Sequence, residues 1–237
     1  YYLPHIKGYK KSWDTDVSLL KNHLLPVLGK THLDQISKRD LVSLFAKHRQ
    51  SHAPGSTNRV IILLRYMFNC ARKWEIPIEK NPTHGIDLYP VNNVKERYLS
   101  VEEAKRLFVA IDASESKMLG FIVRMLLFTG ARKNEVLNAR WADFDLDRRL
   151  WTIEFNKTGK TRYVPLSDMA VDLLLSLPTI EGCDYAFANP KTLKPYVHIF
   201  SSWETARKKA GLADVRIHDL RHSFASFLVN SGRSLYE

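Results

Sequence analysis

The hydrophobic pattern of this chain has the period of β-strands in one segment only, and that segment limits the fold more than any other feature. Residues 149–155 and 161–166 alternate apolar and polar side chains, which is the pattern of half-buried β-strands. Thr158 and Gly159 lie between them and predict the turn of a β-hairpin. Elsewhere in this half, apolar residues recur at helical spacing, in residues 100–112, 117–128, 167–177, 197–210 and 218–230. The sequence therefore predicts a mostly α-helical protein with a small antiparallel β-sheet.

The helical patterns fall into two groups with a turn-rich segment between them. The first group covers residues 12–28, 37–48 and 56–74. Residues 81–94 contain Pro82 and Pro90 and have the composition of a linker. The second group begins where Ser100 and Glu103 match a capping box. We expect a helical domain over residues 1–90, a linker over 91–96 and a second domain over 97–237.

Size and composition fit two folded, water-soluble domains. The chain has 237 residues, of which 45% are hydrophobic and 11% aromatic. It contains no apolar run long enough to cross a bilayer. The two cysteines, Cys70 and Cys183, lack metal-ligand spacing, so we expect reduced thiols, as in a cytoplasmic protein. Residue 1 is tyrosine rather than methionine, so we interpret the chain as part of a longer protein.

The positive charge of the chain is concentrated in its first part. The formal net charge is +11. Residues 1–95 contain 15 basic and 7 acidic side chains, whereas residues 96–237 contain 21 and 18. A basic leading domain suits a polyanion, because each cation placed on a phosphate releases condensed counterions. A solvated surface that keeps the protein soluble remains the alternative.

Two arginine motifs are the strongest candidates for chemistry. Arg132 follows Gly130, which permits a tight turn, and Arg221 comes 89 residues later, three positions after His218. His218 and Arg221 would project from one face of a first helical turn. The guanidinium group binds phosphate oxygens bidentately and keeps its charge. Either motif alone is more often a pair of surface residues, but both offer the donors that a phosphodiester would need.

The predicted hairpin adds three cations between the two arginine motifs. They are Lys157, Lys160 and Arg162. A lysine that reaches a phosphate from a hairpin can act as a general acid for the leaving oxygen if its pKa is lowered. Alternatively, all three side chains form a solvated turn that contacts only the DNA backbone. The leading domain offers further candidate DNA contacts on the polar edge of the pattern 56–74, namely Asn58, Arg59 and Arg65.

The order of these motifs resembles the tyrosine recombinases, the phage integrase family. Residues 130–137 match the family's first arginine box and residues 218–225 match the second. Residues 1–90 resemble the four-helix, SAM-like core-binding domain. The rest resembles the α+β catalytic domain, incomplete at its carboxyl end. The family's catalytic lysine precedes the hairpin turn, which favours Lys157 over Lys160.

The resemblance implies a site-specific DNA recombinase that cuts and rejoins DNA through a 3′-phosphotyrosyl intermediate, in the integration or excision of a mobile element. Arg132 and Arg221 would hold the phosphate, Lys157 would protonate the leaving oxygen and His218 would assist proton transfer. The family needs neither a metal nor a nucleotide cofactor. The implied partner is double-stranded DNA, bound by a tetramer of the full-length protein in a bacterial or phage-infected cell.

Two family features are missing from these 237 residues. The chain has no Leu-Gly-His segment with a second histidine, and Tyr236, the only tyrosine after Arg221, lies too close to that arginine to be the nucleophile. We therefore expect a truncated chain that binds DNA without cleaving it and is a monomer in solution. Two alternatives remain open at this point: a non-catalytic DNA-binding module or regulator, and a type IB topoisomerase.

Overall fold

The computed structural model of the protein describes residues 1–92, 96–154 and 160–230. The chain divides into two compact units, Tyr1–Val94 and Lys95–Glu237. Most described residues are helical, and two small antiparallel sheets lie in the second unit. The predicted fold class is therefore confirmed. No helix among the described residues has both the length and the apolar character needed to cross a membrane.

The first unit contains helices and no β-strand over its described residues. Its α-helices are α1 (Tyr2–Lys7), α2 (Trp13–Leu19), α3 (Leu25–Leu28), α4 (Lys38–Ser51) and α5 (Pro54–Lys73). A π-helical turn, Leu20–Leu24, joins α2 to α3, so that the predicted helix 12–28 is one continuous helical run with a widened middle. The apolar pattern of the sequence does not predict α1, which buries Tyr2 and Ile6.

Local sequence fixes the ends of the longer helices in this unit. Ser37 caps α4, because its Oγ accepts from the backbone N–H of Asp40 at 3.2 Å while the Asp40 carboxylate accepts from the Ser37 N–H at 3.0 Å. These hydrogen bonds lower the pKa of Asp40. Pro54 occupies the first turn of α5, where a backbone N–H would have no acceptor within the helix, so proline costs no hydrogen bond there. The buried core between the helices includes Leu41, Phe45, Ile61 and Phe68.

The turn-rich segment after α5 is packed against that helix along much of its length. The side-chain amide of Asn81 donates to Asn69 Oδ1 at 2.7 Å. Tyr89 exchanges two hydrogen bonds of 2.8 Å with the side chain of Asn58, one through its N–H and one through its carbonyl. Residues 81–89 therefore belong to the first unit, and their linker-like composition is misleading.

The second unit is built around one long, buried helix. Its elements are α6 (Val101–Asp112), α7 (Lys117–Thr129), α8 (Lys133–Leu137), β1 (Phe144–Asp145), β2 (Leu150–Ile153), β3 (Arg162–Pro165), α9 (Asp168–Leu175), β4 (Ala188–Asn189), β5 (Lys194–Pro195), α10 (Phe200–Lys209) and α11 (Asp219–Asn230). The predicted capping box at Ser100 is present at the start of α6. Helix α7 packs against α6, α9 and α11. Because the first arginine motif follows α7 and the second lies at the start of α11, this packing brings the two motifs together.

The sheet of the second unit has the predicted antiparallel hairpin. Its strand order is β1-β2-β3, and Trp151 pairs with Val164 while Ile153 pairs with Arg162. Trp151, Ile153 and Val164 face the core, as the alternating pattern requires. The predicted turn, Thr158-Gly159, lies outside the described residues.

Candidate active site

Gly130 ends α7 in a conformation and a space that suit only glycine. Its φ of 60° lies in the left-handed region. A β-carbon at this position would lie 2.3 Å from Cδ1 of Phe224 on α11. The carbonyl oxygen of Gly130 also accepts a hydrogen bond from Nη1 of Arg221. Gly130, in the first motif, therefore contacts residues of the second motif through both its backbone carbonyl and its α-carbon.

Arg132 is held at the start of α8 by Glu135. The backbone N–H of Arg132 donates to Glu135 Oε2 at 2.7 Å, and its Nη1 donates to Oε1 at 2.7 Å. The Glu135 side chain is only 11% exposed, whereas that of Arg132 is 41% exposed. Glu135 is therefore structural, and it leaves much of the Arg132 side chain accessible to a ligand.

Arg162 also binds Glu135. It lies on β3, and its Nη2 donates to Glu135 Oε2 at 2.6 Å. Its Nε is buried and has no hydrogen-bond partner in the described part of the chain. Arg162 is thus built into the same site as Arg132, a position that the expectation of a solvated hairpin turn does not predict. Arg132, Arg162 and Arg221 are called the guanidinium cluster below.

Helix α11 fixes Arg221 through buried contacts in its first turns. Asp219 is fully buried and accepts from Nη2 of Arg216 at 2.6 Å and from its backbone N–H at 2.8 Å. One turn later, Ser223 Oγ accepts from the Leu99 N–H at 2.8 Å. With its neighbours anchored in this way, the Arg221 side chain has a defined position beside Gly130.

The guanidinium cluster carries excess positive charge. Burial first, and then the charges of Arg162 and Arg132, lower the pKa of Arg221, while Glu135 opposes the shift. Arginine remains protonated despite such shifts, so three cations surround one carboxylate. An anion that accepts hydrogen bonds from the cluster would relieve this repulsion.

His218 lies immediately before α11 and contributes a neutral imidazole. Burial, followed by the nearby His222 and Arg221, lowers the pKa of His218. The rings of His218 and His222 stand nearly perpendicular, with centroids 5.3 Å apart. At neutral pH, an imidazole with a lowered pKa is uncharged and can both accept and donate a hydrogen bond.

A cleft of about 960 Å³ opens beside these residues. It joins the first arginine motif to His218 across α8 and β2. Its lining includes Arg132, Lys133, Asn134, Glu135, Arg140, Asp143, Trp151, Ile153, Glu154 and His218. The cleft is therefore lined by apolar residues and by charged residues of both signs.

The structure brings together three of the four residues predicted to be catalytic. Arg132 and His218 line one cleft, and Arg221 interacts with both through its charge. Lys157, the predicted general acid, lies outside the described residues. Lys160 is described and exposed, two positions before Arg162.

The predicted DNA contacts in the first unit differ in their accessibility. Asn58 is 8% exposed, and its amide is used by Tyr89, so the expectation that it lies on an exposed polar edge is wrong. The burial arises because residues 81–89 cover that side of α5. Arg65 is half-buried and donates to the Ile86 carbonyl at 2.6 Å. Arg59 is exposed, as predicted.

Sequence comparison identifies the family. The model of the phage integrase family matches residues 97–236, and the chain belongs to this family. The integrase of Salmonella phage P22 is 30% identical over 178 residues, which cover 68% of this chain and 43% of that protein. The prophage integrase IntZ of Escherichia coli strain K12 is 26% identical over 242 residues, covering 98% and 59%. The chain thus spans about half the length of these relatives.

Solved structures share the fold at low sequence identity. The lambda integrase fragment 75–356, crystallised as a dimer bound to a COC′ core site, has a TM-score of 0.81 at 17% identity, covering 99% of this chain and 89% of that chain. The Tn1549 transposon integrase in complex with a circular intermediate DNA has a TM-score of 0.74 at 17% identity, covering 98% and 87%.

Proposed function

We propose that the protein is a site-specific DNA recombinase whose scissile phosphate binds at the guanidinium cluster. The observation that carries this proposal is that Arg132 and Arg162 bind one carboxylate, Glu135, while Arg221 lies near enough for its pKa to be lowered by both arginines. One negative charge cannot neutralise three cations, so the site is suited to a phosphodiester. Membership of the phage integrase family supports the same interpretation.

Arg132 and Arg221 bind the two non-bridging phosphate oxygens in this proposal. Negative charge accumulates on these oxygens as the phosphorus is attacked, and fixed donors stabilise that charge without reorganising. Removing one such donor slows catalysis by roughly a hundredfold to a thousandfold. His218, neutral and at the edge of the same cleft, positions the phosphate and assists proton transfer.

The proposed reaction keeps the energy of the broken bond. A tyrosine hydroxyl attacks phosphorus and gives its proton to His218, the bond to the 5′ oxygen breaks, and Lys157 gives that oxygen a proton. The product is a 3′-phosphotyrosyl link and a free 5′-hydroxyl. In the reverse sense, a 5′-hydroxyl of a partner strand attacks the link and releases the tyrosine. The reaction needs no cofactor. The roles of these residues are suggested by the sequence motifs that the chain shares with the family.

The first unit would supply much of the non-specific affinity for duplex DNA. Residues 1–95 carry eight more basic than acidic side chains, and Arg59 is exposed on α5. We propose that the full-length protein assembles as a tetramer on DNA and moves a mobile element in a bacterial cell. We further propose that the 237 residues alone are monomeric, and that they bind DNA without a covalent adduct because Tyr236 lies too close to Arg221 in the sequence to act as the nucleophile. An adduct on a nicked duplex or a stable oligomer in sedimentation would overturn this last step.

The assignment is tested by measuring DNA strand cleavage with the full-length protein, expressed from the complete reading frame. Arg132→Ala and Arg221→Ala should each lower cleavage of the target duplex at least a hundredfold while duplex binding falls only a few-fold. Arg148→Ala is the matched control, because that side chain is 83% exposed in a surface turn. Cleavage by Arg132→Ala at the wild-type rate would refute the proposal. Relaxation of plasmids without a specific site would indicate a topoisomerase instead.

A further inference from the structure

Three histidines form a second cluster of titratable side chains, located in the first unit. His23 lies on the π-helical turn Leu20–Leu24, His48 on the last turn of α4, and His52 directly after that helix. Each offers one nitrogen, and the three nitrogens lie within 4.8 Å of one another. No other group of this kind is found among the described residues. These three residues are called the histidine cluster below.

The nitrogen spacing suits a small transition-metal ion. His23 Nδ1 and His48 Nε2 are 3.2 Å apart. Two ligands of a tetrahedral Zn²⁺ ion, with Zn–N bonds of about 2.0–2.1 Å, lie about 3.3 Å apart. The ring of His23 is nearly perpendicular to the other two, at 80° and 88°. The pair His23 and His48 therefore already has the separation of two ligands of one ion.

Hydrogen bonds outside the cluster fix which nitrogens face one another. His48 Nδ1 lies 2.9 Å from Thr57 Oγ1, whose own hydrogen points to the Ala53 carbonyl at 3.5 Å. The hydroxyl thus accepts from His48 Nδ1–H, and His48 Nε2 keeps its lone pair. His52 Nδ1 lies 2.9 Å from Ser51 Oγ and 3.1 Å from the His48 carbonyl. When Nδ1–H donates to that carbonyl, His52 Nε2 keeps its lone pair. Such outer contacts orient the histidine ligands of metal sites.

The donor set of the cluster suits a transition-metal ion. His48 is 9% exposed, whereas His23 and His52 are partly exposed. Neutral imidazole is the metal ligand, and a set of nitrogen donors without carboxylates favours Zn²⁺ over Mg²⁺ or Ca²⁺. His48 and His52 are stacked at 3.9 Å and 16°, so the partly exposed His52 ring must turn to direct its lone pair at the same ion.

We propose that His23, His48 and His52 bind one Zn²⁺ ion, with water in the fourth position. The ion would join the π-helical turn to the end of α4, and through Thr57 to the start of α5. This would fix three helical segments at one point. The site is separate from the candidate active site and does not depend on the proposed recombinase function.

Zinc titration of the chain without a histidine tag tests the proposal. The test variant is His23→Gln with His52→Gln, which spares the buried His48 and its bond to Thr57. The matched control is His32→Gln with His84→Gln, which removes two exposed histidines of the same unit. We expect calorimetry with ZnCl₂ to give one site per chain in the wild type and the control, and at least a tenfold weaker affinity in the test variant.

Two further readouts separate a metal site from a merely structural cluster. Co²⁺ bound to wild type should show the visible absorption of a tetrahedral nitrogen site, which the test variant should lack. Zn²⁺ should raise the Tm of wild type and control but not of the test variant. The proposal is overturned if the wild type takes up no stoichiometric Zn²⁺, or if the test variant binds it as tightly as the control.

Discussion

Arg221 donates a hydrogen bond from Nη1 to the carbonyl oxygen of Gly130, across 91 positions of the sequence. This bond connects the two arginine motifs directly. It depends on the left-handed turn that exposes the Gly130 carbonyl and on the packing of α11 against α7. The packing of the core therefore sets the geometry of the guanidinium cluster. Substitutions in the core should change the positions of the arginine side chains in the site.

Gly130→Ala should destabilise the protein strongly. The new β-carbon would meet Phe224 at 2.3 Å in a backbone region that disfavours side chains. We expect a loss of about 2–4 kcal/mol in the free energy of unfolding, measured in urea. Gly182→Ala is the control, because Gly182 has a φ of 73° but no described atom lies within 4 Å of where its β-carbon would be. It should lose about 1–2 kcal/mol. Equal losses in the two variants would contradict the packing argument.

Glu135→Gln should destabilise the second unit, because it removes the negative charge that offsets the repulsion among the three arginines of the guanidinium cluster. Glu135 accepts from Arg132 and Arg162, and its side chain is 11% exposed. We expect a loss of about 1–3 kcal/mol in the free energy of unfolding, partly recovered by added phosphate. Glu102→Gln breaks an exposed ion pair with Lys105 and should change stability little. If phosphate stabilises wild type and Glu135→Gln equally, the repulsion is not the cause.

Two variants of neighbouring residues, Arg59→Ala and Asn58→Ala, should have different effects. The first should weaken DNA binding, and the second should lower the stability of the fold. Arg59 is exposed, and removing one phosphate contact should reduce the slope of log affinity against log salt by about 0.9. Asn58 is buried and holds Tyr89, so its loss should lower stability by about 1–3 kcal/mol without changing that slope. An unchanged slope in Arg59→Ala would remove this residue from the DNA interface.

His218 should make the stability of the protein depend on pH. Its pKa is lowered in the folded state, so the unfolded chain takes up the proton more readily. The stability is present above the ordinary histidine pKa of about 6.5 and is lost as pH falls through the folded pKa. We expect His218→Gln to lose less stability than wild type between about pH 7 and pH 5. The control His198→Gln, at an exposed position, should behave as wild type. Parallel curves for wild type and His218→Gln would contradict this account.

Local signals in the sequence predict the elements better than the contacts between them. The Ser37 and Ser100 caps are each encoded within four residues, and the capping box at Ser100 is found as predicted. Arg162 could not be placed, because its partner Glu135 lies 27 positions away on another element. The burial of Asn58 likewise depends on a partner 31 positions away.

The histidine cluster illustrates the same limit. His48 and His52 are four residues apart, a spacing that places them on one helical face. His23 reaches them from a different segment, through a π-helical turn that the apolar pattern does not reveal. Short-range patterns show which side chains share a face, and only the tertiary packing shows which faces meet.

The position of a bound oxyanion tests the central claim most directly. Tungstate is a tetrahedral anion that can stand in for phosphate and is located by anomalous X-ray scattering. In crystals of the 237-residue chain soaked with tungstate, we expect a strong anomalous peak within hydrogen-bond distance of the guanidinium groups of Arg132 and Arg221. Peaks only at other basic residues, in crystals where the cleft is open to solvent, would contradict the assignment of the guanidinium cluster as the phosphate site.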